Sequence, residues 1–335
     1  MAEGQPPKFR ALVRRELQEY RSSLCWTPLV LVLLLGGFML GAVLLADQIS
    51  ALREAVLQLL PGEVEPGSRV SIRIDDSSGE KPVIEYRVEK PFTPYVEGEE
   101  GTGTDSAQRE PQVRPGQLNP LLLSLHNLFL LILILVCANY LLATLFTDRR
   151  DRSILFWKSM PVSDREEVLA KYAVAMLVAP AIYFAASLLA QALGTLLGML
   201  LLWRMEMDPY AALVDKLDFL TLFGGQLAAW PLMSLWLAPT YAWLLLASAG
   251  ATRSPFMLAI TPILALLLGE RILLGSAGLA AVLSRHFPQL GSSAGAYGGF
   301  YWQGLADLPS LCLGLLFAGL ALWLAVFLRR YYFEL

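Results

Sequence analysis

Residues able to do chemistry are few in this chain, and they are scattered. The two histidines, His126 and His286, are far apart and sit in no ligand or triad spacing. With Glu270 and Asp307 they are the candidates for acid–base or metal work, and no motif joins them. There is no HExxH, no GxSxG and no GxGxxG following a strand, and no GxxxxGK[ST] loop to hold a nucleotide. Cys25, Cys137 and Cys312 each fall in or beside an apolar run, without CxxC spacing, and read as small packing residues. The expectation is a chain that is not itself an enzyme and holds no cofactor or metal of its own.

A second set of residues is polar but embedded in apolar sequence: His126, Asn127, Asn139, Gln191 and Gln226. They serve either as interhelical hydrogen bonds or as contacts along a pathway. Glu270 and Arg271 are adjacent near the end of the fifth apolar run. Neighbours at i and i+1 on a helix do not face each other, so separate partners are expected. Ionisable groups inside spans mark ion pathways. Their scarcity here argues for energy supplied from elsewhere.

The most informative segment is 147–172, TDRRDRSILFWKSMPVSDREEVLAKY. Arg149, Arg150, Asp151 and Arg152 form a dense charge cluster directly after an apolar run. Ile154, Leu155, Phe156, Trp157 and Met160 then place large apolar groups beside Lys158 on the water side. After Pro161, Ser163 with Glu166 three residues on makes a capping box for a helix leading into the next run. This pattern fits an interfacial aromatic belt with snorkelling charges. It also fits a short helix offered to a soluble partner, with aromatics as anchors and charges as rim.

The elements that must position these residues follow from composition. Apolar types make up 56% and charged types 16% of 335 residues, where a soluble domain carries about 25% charged. Apolar runs at 28–46, 120–146, 173–203, 219–249, 256–274 and 309–328 meet the roughly 20 residues needed to cross the hydrocarbon. Barrel-type alternation is absent from them, so helices are expected. The predicted class is an all-α polytopic membrane protein with about six spans.

Sidedness follows from Lys and Arg in short connections. The tail 1–27, the connection 147–172, Arg253 and the tail 329–335 collect on one side, predicted to be the cytoplasm of a bacterial inner membrane. The loop 47–119, with eight basic and thirteen acidic residues over 48–119, falls on the other side. Its stretches 69–74 and 82–88 alternate like two short strands, and 95–116 reads as mobile. The connection 275–308 is rich in Gly, Ala and Ser, as in short re-entrant helices. Residues 8–24 form an amphipathic helix. Phe9, Leu12, Val13, Leu17, Tyr20 and Leu24 lie on one face, and Arg10, Arg14, Arg15, Glu16 and Glu19 on the other, as suits a helix in the membrane interface or one packed on a partner.

The run DRRDRSILFWKSMPVSD, residues 148–164, resembles the cytoplasmic loop between spans two and three of the ABC-type-2 permease family, the membrane subunits of ATP-binding-cassette exporters. The plan of interfacial helix, six spans and variable outer loop is similar along nearly the whole chain. The resemblance implies that two permease subunits pair, as a homodimer or as a heterodimer, with two copies of a separate ATPase that uses ATP and Mg. It implies that 147–172 is a coupling helix, with Arg149, Arg150, Asp151 and Arg152 at the rim of the ATPase contact and Ile154, Phe156, Trp157 and Lys158 in or beside its groove. It implies that helix 1–27 connects to the ATPase, and that spans two and five line a pathway between subunits. The competing readings are an ATP-independent carrier or channel, and a membrane enzyme or scaffold. A lipid, a hydrophobic peptide or an amphipathic drug suits these spans better than a small ion.

Overall fold

The structure, a computed structural model, describes residues 8–45, 116, 118–151, 162–276, 278–284, 286 and 307–331. The expected strands at 69–74 and 82–88 lie outside these residues, as do Arg152, Ile154, Phe156, Trp157 and Lys158. Among the described residues every regular element is a helix. In chain order these are α1 (Lys8–Glu19), α2 (Thr27–Leu45), α3 (Asn119–Arg150), α4 (Asp164–Ala173), α5 (Ala179–Arg204), α6 (Phe219–Gly250), α7 (Pro255–Gly269), α8 (Gly278–Ser284) and α9 (Leu308–Tyr331). Wider π-helical turns lead into α2, join α4 to α5 and extend α7 to Leu274.

Six helices are long and apolar enough to cross a membrane: Ser22–Leu45, Asn119–Arg150, Asp164–Arg204, Phe219–Gly250, Pro255–Leu274 and Leu308–Tyr331. Large side chains such as Phe38, Leu220 and Leu273 are about four-fifths exposed, which suits lipid as the surrounding solvent. The chain is an all-α, multi-pass membrane protein. The third span starts earlier than its apolar run. The Ser163 hydroxyl accepts from Glu166 N–H while the Glu166 carboxylate accepts from Ser163 N–H, so the capping box starts the helix there.

α6 is the hub of the bundle. α9, α3 and α7 pack on it, while α2 packs on α5. The α6–α9 seam is built from Ala238, Ala242, Ala318 and Ala321. Small residues let two backbones approach closely where lipid supplies no hydrophobic drive for association. α7 is peripheral. Among its described residues only Ala259 is buried, and Trp243 Nε1 donates to Ala259 O at 3.0 Å.

One end of the bundle carries α1, the ends of α3, α6 and α9 and the starts of α4 and α7; it is called basal here. At the opposite, distal end, Asn119 joins α3 to the entry of α6. Its amide donates to Asp218 O (3.2 Å) and its carbonyl accepts from Asp218 N–H (3.0 Å). Asp218 in turn caps α6 through Thr221 N–H and Thr221 Oγ1–H. Those hydrogen bonds hold the Asp218 carboxyl below its usual value. His286, from the small-residue connection, lies beside the bundle rather than beyond its end. Its ring centroid is 5.1 Å from that of Trp236 in α6, and a Cβ on Gly314 of α9 would stand 2.6 Å from its Nε2.

Candidate functional site

Among the described residues the largest concentration of polar chemistry is a buried charge lattice at the basal end. α1 contributes Glu16. The amphipathic pattern places this residue with Arg10, Arg14, Arg15 and Glu19 on the polar face, but the structure overturns that placement: Glu16 is 1% exposed. α1 packs on α4 through more than its apolar stripe, and Glu16 points at α3 and α4. Its Oε1 accepts from Lys171 Nζ at 2.8 Å and its Oε2 from Tyr140 Oη at 3.0 Å.

Lys171 is fully buried and donates also to Thr144 Oγ1 at 2.7 Å. Its Nζ stands 3.3 Å from Asp148 Oδ2. Arg329, near the end of α9, closes the lattice from the other side. Its guanidinium is 3.4 Å from Asp148 Oδ2, 2.6 Å from Glu167 Oε2 and 3.6 Å from Asp164 Oδ1. Three buried carboxylates (Glu16, Asp148 and Glu167) thus face two buried cations (Lys171 and Arg329). Each ion has a partner of opposite sign. That is the condition under which charges can be held away from water, where an isolated ion would cost several kcal/mol.

Glu19, one turn beyond Glu16, sits at the margin and is 43% exposed, with Arg15 at 3.6 Å. Partial burial pushes its carboxyl above the usual value, and the neighbouring Glu16 adds to the rise; Lys171 and Arg15 oppose it less strongly.

The lattice joins four pieces of chain: α1, the end of α3, α4 and the end of α9. Asp148 and Glu167 stand on either side of segment 152–161, so both flanks of that segment are fixed to the same ionic core. A polar groove of about 430 Å³ opens beside it, lined by Asp164, Arg165, Glu167 and Arg330. The arrangement suits a rigid clamp. Short, charge-assisted bonds tie the end of α3 and the start of α4 to α1 and α9.

The charges expected at the rim of a partner contact divide. Arg149 turns inward and donates to Ser248 O at 2.8 Å and Ala251 O at 2.7 Å, holding the last carbonyls of α6. Arg150 and Asp151 are exposed and pair with each other at 3.1 Å. The residues polar at depth divide too. Gln191 and Gln226 exchange amide hydrogen bonds at 3.4 and 3.3 Å. His126 Nδ1 lies 2.9 Å from Ser187 Oγ. These two pairs are the interhelical bonds anticipated for such residues. Asn127 is half-buried, and Asn139 faces outward. Glu270 and Arg271 diverge as their spacing requires. Glu270 accepts from Ser276 Oγ and from Leu279 N–H at the start of α8, while Arg271 is exposed. Among the described residues no group of His, Cys, Asp or Glu is placed to hold a metal ion.

Sequence reasoning missed Glu16, Tyr140, Thr144, Asp148, Glu167, Lys171 and Arg329 as one site. One signal was present. Asp148 and Glu167 are carboxylates close to span ends, on the face that the basic-residue count makes positive. No family model, no curated protein and no solved structure matches the chain.

Proposed function

We propose that the chain is the transmembrane permease subunit of an ATP-driven exporter, with segment 147–172 as the coupling element for a separate ATPase. One observation carries this reading: the buried charge lattice ties both flanks of that segment to α1 and α9. A push delivered at the segment by ATPase closure then moves spans two, three and six together. This chain supplies the docking surface and the transmitted motion. ATP and Mg are handled by the partner, and the lipid-dissolved part of the assembly is completed by a second permease subunit. The face bearing the lattice is cytoplasmic in this reading. The substrate class that suits it is amphipathic or lipid-like.

An ATP-independent carrier is the second reading, because a carrier is expected to bury carboxylates and three are buried here. Their placement disfavours it. They sit at one end of the bundle and are matched by Lys171 and Arg329. A proton path needs titratable groups at mid-depth.

The test is co-expression with the ATPase encoded beside the gene, followed by co-purification and ATP hydrolysis in lipid. Trp157→Asp should abolish the complex while leaving a monodisperse permease, since a charge in place of an aromatic anchor costs about 2–4 kcal/mol of docking. A stable wild-type chain that captures no ATPase refutes the reading.

A further inference from the structure

A small cavity lies inside this subunit between the spans containing α3, α5 and α6. It holds about 30 Å³, room for one or two water-sized groups. Its walls are apolar and aromatic, with Phe184, Trp230, Met233 and Tyr241 among them. Phe184 and Trp230 stack with ring centroids 6.0 Å apart. His126 and Ser234 also line it, and the aromatic walls bring two further polar groups, the Tyr241 hydroxyl and the Trp230 indole N–H.

The hydrogen-bond geometry around His126 assigns the proton to one ring nitrogen. The Ser187 hydroxyl donates to Phe184 O at 2.8 Å. Its oxygen is therefore the acceptor in the 2.9 Å contact with His126 Nδ1, and Nδ1 bears the hydrogen. In a neutral ring Nε2 is then a bare acceptor. His126 is 95% buried, being 5% exposed, and its Nε2 has no hydrogen-bond partner among the described residues. Ser234 Oγ likewise has none. An acceptor-bearing ring and a hydroxyl-bearing side chain thus line one space, whose remaining walls are apolar apart from Tyr241 and Trp230.

We infer that this cavity is a binding site for the hydroxyl end of a membrane-dissolved alcohol or phenol, with His126 Nε2 accepting its proton and Ser234 as the second polar contact. A cationic head is disfavoured because no carboxylate lines the cavity, and an anionic head because no Lys or Arg does. An unpaired charge at this depth is expensive. A neutral donor leaves nothing unpaired. A cavity of this size takes only the hydroxyl and its nearest carbon, and the half-buried Phe184 and Trp230 in its wall leave the outer face of α5 and α6 for the apolar body. The site is built within one subunit and does not depend on the exporter reading.

The test uses the full-length chain in lipid nanodiscs with ring-nitrogen-labelled histidine. There are only two histidines, so the His126 signals are assigned by their loss in His126→Gln, and His286 serves as an internal reference. n-Octanol should move the His126 Nε2 resonance upfield and saturably, leaving His286 unmoved. Octyl methyl ether, which cannot donate, should not do so. Ser234→Ala should weaken the n-octanol response by about fivefold, the loss of one neutral hydrogen bond. An equal response to the ether, a response that rises without saturating, or an Nε2 already hydrogen-bonded by water and unmoved by the alcohol would each overturn the inference.

Discussion

Replacing Lys171 by Met removes the cation at the centre of the basal lattice with little change in volume. Lys171 is fully buried, and three oxygens depend on it: Glu16 Oε1 at 2.8 Å, Thr144 Oγ1 at 2.7 Å and Asp148 Oδ2 at 3.3 Å. Asp148 keeps Arg329 as a partner, but Glu16 keeps only the Tyr140 hydroxyl and the more distant Arg15, at 3.9 Å. Breaking a buried pair by removing one member costs about 3–5 kcal/mol, because the remaining ion is left desolvated. Most of that cost should be recovered in the double variant Lys171→Met with Glu16→Gln, where the amide leaves no unpaired charge at position 16. The assay is unfolding in detergent or lipid, followed by loss of the monodisperse species with temperature or denaturant. Single and double variants form a cycle whose coupling should exceed about 1.5 kcal/mol. A Lys171→Met chain as stable as wild type, or a double variant whose cost is the sum of the two singles, would refute the claim that these charges form one cooperative site.

Three further outcomes follow from the same geometry. Glu19→Gln should leave stability unchanged or raise it. Its carboxyl is raised from 4.5 in the fold by burial, so its contribution is fully present below its unfolded value and is lost as pH rises through its folded one; Glu16→Gln, run beside it in a thermal melt, should destabilise. Arg149→Ala should cost about 1.5–3 kcal/mol, since it frees the carbonyls of Ser248 and Ala251, whereas exposed Arg150→Ala should change stability by less than about 0.5 kcal/mol. Gly314→Ala should displace His286, because the added Cβ would stand 2.6 Å from its Nε2; labelled-histidine spectra should shift for His286 and not for His126, and an unmoved His286 signal would contradict the close approach.

The lattice also changes how the basic-residue count along the chain is understood. Lys171, Arg149 and Arg329 all enter the charge tally from which a cytoplasmic face is expected. All three are engaged inside the protein, with Lys171 0% and Arg329 3% exposed. The tally keeps its sign without them, because Arg10, Arg14, Arg150, Arg253 and Arg330 lie at the same end. Charges near span ends therefore have two uses here, and sequence position alone does not separate them.

The amino-acid sequence by itself determined the six spans, the helical class and the start, at Ser163, of the helix that leads into the third span, though not that this helix belongs to the span. Each of these depends on a local property: the length of an apolar run, the backbone's need to satisfy itself in lipid, or a Ser and a Glu three residues apart. It also anticipated that Glu270 and Arg271 diverge, since that follows from helical geometry within one turn. Only the tertiary structure decided which polar residues meet. Glu16 finds Lys171 across 155 residues and Arg329 finds Asp148 across 181. Each contact depends on how far a helix is rotated about its own axis. That rotation is set by packing, as in the alanine seam between α6 and α9 and the seat of α1 on α4, and not by any pattern along one segment. The same reason explains why Glu16, read as one more charge on a wet face, proved to be a buried member of the site.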